Sequence, residues 1–333
     1  MKKIYAAAIA LCCLAGAAPA QTAAQNGPVP GKTYKVGYSQ IVDHPALNAI
    51  RQGFVDTLKA AGFVEGKNLV FEYQNAQGNP GNARNIAEKF VADGVDILAP
   101  CTTPNAQATV KFARGGKIPV VFGCITNPVD AGLIPSFDQP SGTNVTGQYS
   151  LPPAAQIMSL IVELMPAAKT VGTIYNGGES NSVSTERLAK AEAEKRGLKW
   201  VEVQVTSSAE VKNAADSLAG RVDVIFTPQD NTVASAYDAV LKSARSAKLP
   251  LFSTDTSTVA RGALASFGVD EYKQGAAWAK EVAIPVLLGR DAATMVAFSY
   301  QDRELYVNTA AAAAANVTIS PAVLSRAAKV FKE

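Results

Sequence analysis

The chain carries one α/β pattern twice, and this repeat constrains its fold more than any other feature. Residues 95–98 and 118–122 are short apolar runs separated by a polar loop and a segment of helical periodicity, and the same order returns at residues 222–225 and 249–252. Short apolar runs that alternate with helices are typical of parallel strands with crossover helices. We therefore predict an α/β fold of two doubly wound α/β lobes joined by a hinge.

The two lobes are expected to meet in a ligand-binding cleft. In open parallel sheets ligands bind outside the carboxyl ends of the strands, so two facing sheets hold a small molecule between loops from both lobes. The pattern assigns residues 33–148 and about 265–295 to the first lobe, and residues 149–264 and about 296–333 to the second. Two or three crossovers between the lobes would form the hinge.

Residues 1–20 have the pattern of a secretory signal peptide. Two lysines precede an apolar run over residues 4–17, and small residues around position 19 form a cleavage site. The run is shorter than the roughly 20 residues that a membrane-spanning helix needs. The pattern predicts a periplasmic protein, and a lipoprotein is disfavoured because both cysteines of this segment lie inside the apolar run.

Composition argues against several classes of function. The chain is 48% hydrophobic and 18% charged, which is typical of an ordered globular protein. Its formal charge of +3 falls to +1 without the two lysines of the signal peptide, so it has no basic field for nucleic acid. No glycine-rich phosphate loop follows the first strand, and no cofactor is expected. His44 is the only histidine, which excludes a metal site built from several imidazoles.

Cys101 and Cys124 each follow an apolar strand of the first lobe. If these strands are neighbours in the sheet, an oxidising compartment permits a disulfide between them. Two small buried thiols that fill space are an equally good interpretation. The sequence leaves both open.

Polar loops at the predicted strand ends supply candidate ligand contacts. These loops contain hydroxyls, amides and carboxylates and no lysine or arginine. Such residues are also ordinary helix caps, and about half of them are expected to do only that. The candidates are Ser39, Gln40, Thr102, Thr103, Asn127, Asn176, Glu179, Asn181, Ser182, Asp230 and Asp255.

The chemistry of these loops predicts a zwitterionic ligand such as an amino acid. A carboxylate can be held at a helix amino terminus, supplemented by hydroxyls such as those of Thr102 and Thr103. An ammonium can be held by charge-assisted hydrogen bonds to Glu179, Asp230 or Asp255. Three tyrosines flank the same loops and could contact the side chain of the ligand, although tyrosines at such positions belong to the core more often than to a pocket. They are Tyr38, Tyr149 and Tyr175.

Several motifs in order resemble one family of ABC-transporter substrate-binding proteins, which includes tryptophan- and other aromatic amino-acid-binding members. They span nearly the whole chain after the signal peptide and lie at residues 39–47, 119–133, 144–147, 175–182 and 230–235. The resemblance implies the type I periplasmic-binding fold and closure of two lobes around the ligand. It also implies delivery to a membrane permease driven by a separate ATPase.

By this resemblance, the ligand contacts fall on Gln40, Thr102, Thr103, Asn127, Asn176, Asn181, Asp230 and Asp255. The chain departs from the family pattern at three places. The two cysteines stand where small or apolar residues are expected, Asn127 stands where aspartate is common, and Asp255-Thr256 replaces the more usual paired acids. These departures bear on the identity of the ligand more than on the fold.

We therefore predict a monomeric, non-enzymatic substrate-binding component of an ABC importer, with an aromatic amino acid as the expected ligand. Its predicted partners are this small molecule and a membrane permease, without nucleic acid. Two alternatives remain open at this point. One is a sensor that passes its bound state to a membrane signalling partner, and the other is a hydrolase that uses Asp230 and Asp255.

Overall fold

A computed structural model describes residues 27–333 of the chain. The predicted signal peptide lies outside the described residues. Within this part of the chain, no helix combines the length and the apolar character that crossing a membrane requires.

Strands and helices alternate along most of the described chain. The strands are β1 (Tyr34–Gln40), β2 (Leu69–Asn75), β3 (Ile97–Cys101), β4 (Val120–Ile125), β5 (Val145–Tyr149), β6 (Thr170–Asn176), β7 (Lys199–Val205), β8 (Val224–Thr227), β9 (Leu251–Ser253), β10 (Ala265–Val269), β11 (Phe298–Ser299), β12 (Arg303–Asn308) and β13 (Lys329–Phe331).

The α-helices are amphipathic or buried segments between these strands. They are α1 (Pro45–Ala60), α2 (Pro80–Ala92), α3 (Thr103–Ala113), α4 (Ala154–Leu164), α5 (Ser180–Lys195), α6 (Val211–Ser217), α7 (Asn231–Ser235), α8 (Tyr237–Ala247), α9 (Ser257–Arg261), α10 (Glu271–Trp278), α11 (Ile284–Leu287), α12 (Thr309–Ala314) and α13 (Pro321–Arg326).

The strands form two sheets, one in each lobe, and this confirms the predicted pair of α/β lobes. The first sheet has the order β11-β5-β4-β3-β1-β2, and the second has the order β13-β12-β10-β9-β8-β6-β7. Pairing is parallel throughout except between β10 and β12. Because β3 and β4 occupy the same places in the first sheet as β8 and β9 in the second, the repeat read from the sequence is a structural repeat.

Both faces of each sheet are covered, which explains why the central strands are continuous apolar runs. In β3, Ile97 and Ala99 face a core that contains α1, whereas Leu98 faces a second core that contains α3. Successive residues of a strand point to opposite faces, so such a strand must be apolar at every position. This local pattern is what made the repeat visible in the sequence.

Three crossovers join the lobes, and they lie slightly later in the chain than the sequence suggested. Residues 265–269 still pair as β10 in the second sheet, so the chain leaves that lobe only after Val269. Residues 298–299 still pair with β5 in the first sheet, and the chain returns to the second sheet at β12. The predicted boundaries at about 265 and about 296 therefore each precede a strand that belongs to the lobe being left.

The helix that follows the second crossover packs closely on α1. A Cβ at Gly275 would lie 1.9 Å from the carbonyl oxygen of Ile50, and one at Gly53 would lie 2.0 Å from that of Tyr272. Only glycine permits this approach of two backbones. The contact fixes α10 against α1, and both helices contribute to the cleft described below.

Cys101 and Cys124 are joined by a disulfide, with their Cα atoms 5.1 Å apart. Cys101 ends β3, and Cys124 lies in the adjacent parallel strand β4. The bond closes a loop with a sequence separation of 23 residues and lies directly before the amino terminus of α3. It therefore links β3 and β4 near their carboxyl ends, which face the other lobe.

Loss of this disulfide is expected to lower the free energy of unfolding by about 3 kcal/mol, because it constrains the unfolded chain over a loop of this length. Urea unfolding of the oxidised protein, the reduced protein and the Cys101→Ala/Cys124→Ala variant measures the change. Reduction of the double variant is the control and should shift nothing. Equal unfolding midpoints for the oxidised and reduced native protein would contradict the expectation.

Candidate ligand-binding cleft

A cavity of about 610 Å³, including its opening to solvent, lies between the two lobes at the strand-end loops that the sequence analysis singled out. Loops after β3 and β4 and the start of α1 form one side, and loops after β8 and β9 form the other. Of the candidates from the sequence, the cavity wall contains Thr102, Thr103, Asn181, Asp230 and Asp255.

The first lobe presents two buried hydroxyls at the amino terminus of α3. Thr102 and Thr103 are 2% and 1% exposed, and neither Oγ1 finds a hydrogen-bond partner among the described residues. Thr102 has a φ of +81°, a backbone conformation that a β-branched residue rarely adopts. Such strain is found where a site requires it. The hydroxyls and the first N–H groups of the helix together suit an anionic group.

The opposite side of the cavity presents two carboxyl groups, one from Asp255 after β9 and one from Glu271 at the start of α10. The backbone N–H of Ser257 lies 2.9 Å from Asp255 Oδ1 and 3.2 Å from Glu271 Oε1, so both acids converge on one donor. Thr256 Oγ1 donates to Glu271 Oε2 at 2.7 Å. Burial and the neighbouring Asp255 charge raise the pKa of Glu271 well above its usual range.

Glu271 is a site residue that the sequence analysis missed. It stands in the first turn of a helix, where an acidic residue is ordinary because it complements the helix dipole. Only the second crossover brings this turn beside Asp255. The family pattern has two acids in a row where this chain has Asp255-Thr256. Here Glu271 supplies the second acid from a distant part of the sequence.

His44 reaches the cavity from the first lobe, as the residue before α1. Its Nδ1 is buried and has no hydrogen-bond partner among the described residues. Burial lowers the pKa of His44 below its usual range and outweighs the opposing effect of Asp255 and Glu179.

Asp230 lines the cavity, but both oxygens of its carboxylate accept hydrogen bonds from other residues of the protein. Its Oδ2 accepts hydrogen bonds from the Asn176 N–H at 2.6 Å and the Ser182 hydroxyl at 2.7 Å, and its Oδ1 accepts from the Val233 N–H at 2.7 Å. Burial and the nearby Glu179 charge raise the pKa of Asp230 to about 7. Asp230 therefore fastens three loops together, and both of its oxygens are already engaged.

Glu179 is likewise an internal anchor. Its carboxylate accepts from the backbone N–H groups of Asn231 at 3.1 Å and Thr232 at 3.0 Å, and so holds the start of α7. It also accepts from the Asn181 amide at 3.1 Å. Asn181 donates to the Gln229 carbonyl at 2.9 Å, while its own Oδ1 is buried without a partner among the described residues. Asn181 thus presents an unused acceptor to the cavity.

Ser39 and Gln40 lie outside the cavity wall, in contrast to the prediction from the sequence. Ser39 Oγ accepts from the Asn105 amide at 2.9 Å. Gln40 Oε1 accepts from Arg51 at 3.2 Å, and its Nε2 donates to Asp43 at 3.2 Å. Both side chains are buried and hold β1 to α3 and α1. They support the cavity wall without forming it.

The three tyrosines also lie outside the cavity wall and have the core role, which is the more frequent of the two roles open to them from the sequence. Tyr38 belongs to the aromatic core of the first lobe, Tyr149 packs on a neighbouring ring, and Tyr175 donates a hydrogen bond within the second lobe. The apolar part of the wall is aliphatic instead and includes Leu47 and Ile50. The position of a residue in a strand decides which face of the sheet its side chain lies on. For these tyrosines that face is packed against the core.

Asn127 lies at the rim and positions a contact between the lobes. Its Oδ1 accepts from the N–H groups of Val129 and Asp130, both at 3.1 Å. Asp130 Oδ2 in turn accepts from Ser184 Oγ at 2.9 Å and Arg187 at 2.8 Å, both in α5 of the other lobe. The two lobes are therefore linked across the cleft as well as through the hinge.

A sequence model of the family described as ABC transporter substrate binding protein matches residues 35–331. The chain belongs to this family. Its relatives include the tyrosine-binding protein of Clostridioides difficile, which is 35% identical over 277 residues covering 83% of this chain and 79% of the relative.

Solved structures of similar proteins share the fold of this substrate-binding protein. A conserved domain protein from Vibrio cholerae is 44% identical, with a TM-score of 0.86 over 90% of this chain and 100% of that chain. The ABC domain from Streptococcus pneumoniae in complex with L-Trp is 31% identical and has the same TM-score over the same shares of the two chains. These neighbours confirm the type I periplasmic-binding fold.

One further relative superposes less well on this chain. A ligand-free, open structure of a substrate-binding protein from Clostridium difficile is 34% identical and covers 90% of this chain and all of that chain, yet its TM-score is 0.68. The L-Trp complex is slightly less identical in sequence and superposes better. This substrate-binding protein therefore superposes better on the liganded relative than on the open, ligand-free one.

The contact of Asp130 with α5 is expected to favour the closed arrangement slightly. The Asp130→Ala substitution should weaken ligand binding about threefold, because a partly exposed ion pair contributes less than about 1 kcal/mol. Calorimetric titration at low and high salt measures the effect, which should shrink as salt rises. Glu88→Ala, which breaks an exposed ion pair within one lobe, is the control. A thirtyfold loss, or none at low salt, would contradict this role.

Proposed function

We propose that this protein is the extracytoplasmic substrate-binding component of an ABC importer and that its ligand is an aromatic L-amino acid. The observation that carries the proposal is the polarity of the cleft. One side offers the Thr102 and Thr103 hydroxyls at a helix amino terminus, and the other offers the carboxyl groups of Asp255 and Glu271. These groups match the carboxylate and the ammonium of one amino acid.

Two further observations support an aromatic side chain. The cavity wall between the polar groups contains the aliphatic side chains Leu47, Ile50 and Val269. The family relatives include a protein named for tyrosine binding and one solved with L-Trp. An aromatic ring against aliphatic side chains removes a large apolar area from water.

The role in import is inferred from the family and from the two-lobe architecture. A permease recognises such a protein through surfaces whose relative placement depends on closure, and a hinge with three crossovers permits closure as a rigid-body motion. We infer secretion to the periplasm from the pattern of residues 1–20. We infer a monomer because one chain supplies both sides of the cleft. The hydrolase alternative finds no support, because Asp230 is held by three internal donors.

The experiment that tests the ligand is a binding panel on protein that has been unfolded, stripped of ligand and refolded. L-tyrosine, L-tryptophan and L-phenylalanine are compared with tyramine, which lacks the carboxylate, and with 3-(4-hydroxyphenyl)propionate, which lacks the ammonium. A ligand at about 100 times its Kd stabilises by about 2.7 kcal/mol, which thermal melting detects. Stabilisation by the amino acids alone supports the proposal. Stabilisation by sugars alone, included as a further arm, would overturn it.

The experiment that tests import uses proteoliposomes that contain an ABC permease and ATPase from the same organism. Ligand uptake that requires both ATP and this protein supports the proposed role. Binding without uptake would favour a sensing role instead.

A further inference from the structure

We propose that Asp255 and Glu271 share one proton in the empty cleft and that the ammonium of an incoming ligand displaces it. This inference rests on the proposed function, since it requires a ligand with an ammonium group. It assigns Glu271 a direct part in binding and makes binding depend on pH.

The geometry of the pair carries the inference. Asp255 Oδ1 and Glu271 Oε1 accept from the same Ser257 N–H, at 2.9 and 3.2 Å, so the two carboxyl groups are neighbours. They have no cationic partner among the ion pairs of the described residues. Two like charges this close in a buried site cannot both ionise freely, so one acid keeps its proton.

The surroundings show that this pair belongs to a ligand site. The same cavity contains the hydroxyls of Thr102 and Thr103 and the Oδ1 of Asn181, all on side chains more than nine-tenths buried and without partners among the described residues. Unsatisfied buried polar atoms are rare in native proteins and need an explanation. A bound zwitterion supplies partners for these atoms and for the acids.

The group that holds the proton is Glu271. Its pKa is raised by burial and by Asp255, and its Oε2 accepts from Thr256. Other titratable or charged groups stand on the elements packed around the pair. They are His44 before α1, Glu179 before α5, Asp230 before α7, Tyr237 of α8 and Arg261 of α9.

Binding changes the balance at this pair. An ammonium carries three N–H donors and a positive charge, and a proton held between the two acids occupies an acceptor that it needs. When the ammonium arrives, the O–H bond of Glu271 breaks, the proton passes to water, and the freed carboxylate accepts an N–H of the ligand. The positive charge then lowers the pKa of Glu271 in the complex.

The sign of the pH dependence follows from this exchange. Between the pKa of Glu271 in the complex and its higher pKa in the empty protein, each ligand bound releases close to one proton. Affinity should therefore rise about tenfold per pH unit as the pH increases through this range, and level off once the empty pair has lost its proton. A site without proton release gives a flat profile over the same range.

The test is titration calorimetry with L-tryptophan at several pH values from about 5.5 to 7, in two buffers of low and high ionisation enthalpy, such as Mes and imidazole. The difference in observed heat counts the protons exchanged. We expect proton release in the native protein, almost none in Glu271→Gln, and unchanged release in His44→Gln. Glu281→Gln, an exposed acid in the same helical segment, is the matched control and should behave as the native protein.

The outcomes separate this inference from the proposed function. Binding of L-tryptophan without proton release overturns the shared proton and leaves the proposed function intact. Proton release that persists in Glu271→Gln and disappears in His44→Gln overturns the assignment to the acid pair. Absence of binding by every aromatic amino acid in the native protein overturns both. Circular dichroism and melting of each variant show that the fold is retained.

Discussion

Replacing Asp255 with alanine is expected to weaken binding of L-tryptophan or L-tyrosine about a thousandfold, which corresponds to about 4 kcal/mol. The carboxylate lines the cavity beside Glu271, and its removal leaves the ligand ammonium with only one of the two carboxylates proposed to hold it. The fold should be unaffected, because the hydrogen bonds of this side chain reach only Ser257 in its own loop.

Calorimetric titration and thermal melting together measure this prediction. The matched control is Asp238→Ala in α8, because that side chain is 87% exposed and lies outside the cavity wall. The control should bind as the native protein does. A native affinity in Asp255→Ala, with an intact fold, would refute the assignment of this carboxylate to the ammonium.

Replacing Asp230 with alanine is expected to have a different consequence, a loss of about 4 kcal/mol in the free energy of unfolding. Three buried donors would lose their acceptor at once, namely the N–H groups of Asn176 and Val233 and the hydroxyl of Ser182. Leaving buried donors unsatisfied costs more than the hydrogen bonds contribute, and the cap of α7 is lost as well.

Urea unfolding measures this loss against a second aspartate that also caps a helix. Asp291 accepts one hydrogen bond, from the Ala293 N–H at 2.9 Å, at an exposed turn. Asp291→Ala should cost only about 1 kcal/mol. Equal losses in the two variants would show that the network around Asp230 contributes little beyond an ordinary cap.

These two aspartates show where reading the sequence succeeded and where it failed. The sequence placed both at the cleft, since both follow parallel strands of the second lobe and the carboxyl ends of such strands meet at one edge. It treated them as equal candidates for the ammonium. The structure separates them, because three donors converge on Asp230 whereas Asp255 meets a second acid.

The same limit explains the other corrections. Ser39 and Gln40 end a buried strand, and the threonines at 102 and 103 directly follow another, yet the side chains of Ser39 and Gln40 hold neighbouring helices. A polar side chain at a strand end can either form hydrogen bonds within the protein or line the cavity. Which of the two it does depends on the hydrogen-bonding groups that lie nearby. Those groups come from distant parts of the chain, and no local pattern records them.

The sequence by itself determined the two α/β lobes, the repeat that relates them and the strand ends at which the cleft lies. These depend on local signals, because a parallel strand covered on both faces must be apolar at every position and its turns must be polar. Only the tertiary structure decided that Glu271 joins Asp255 and that Asp230 is an internal anchor. A crossover of the chain brings the two acids together, and the electrostatics of a site depend on distances in space that sequence spacing does not contain.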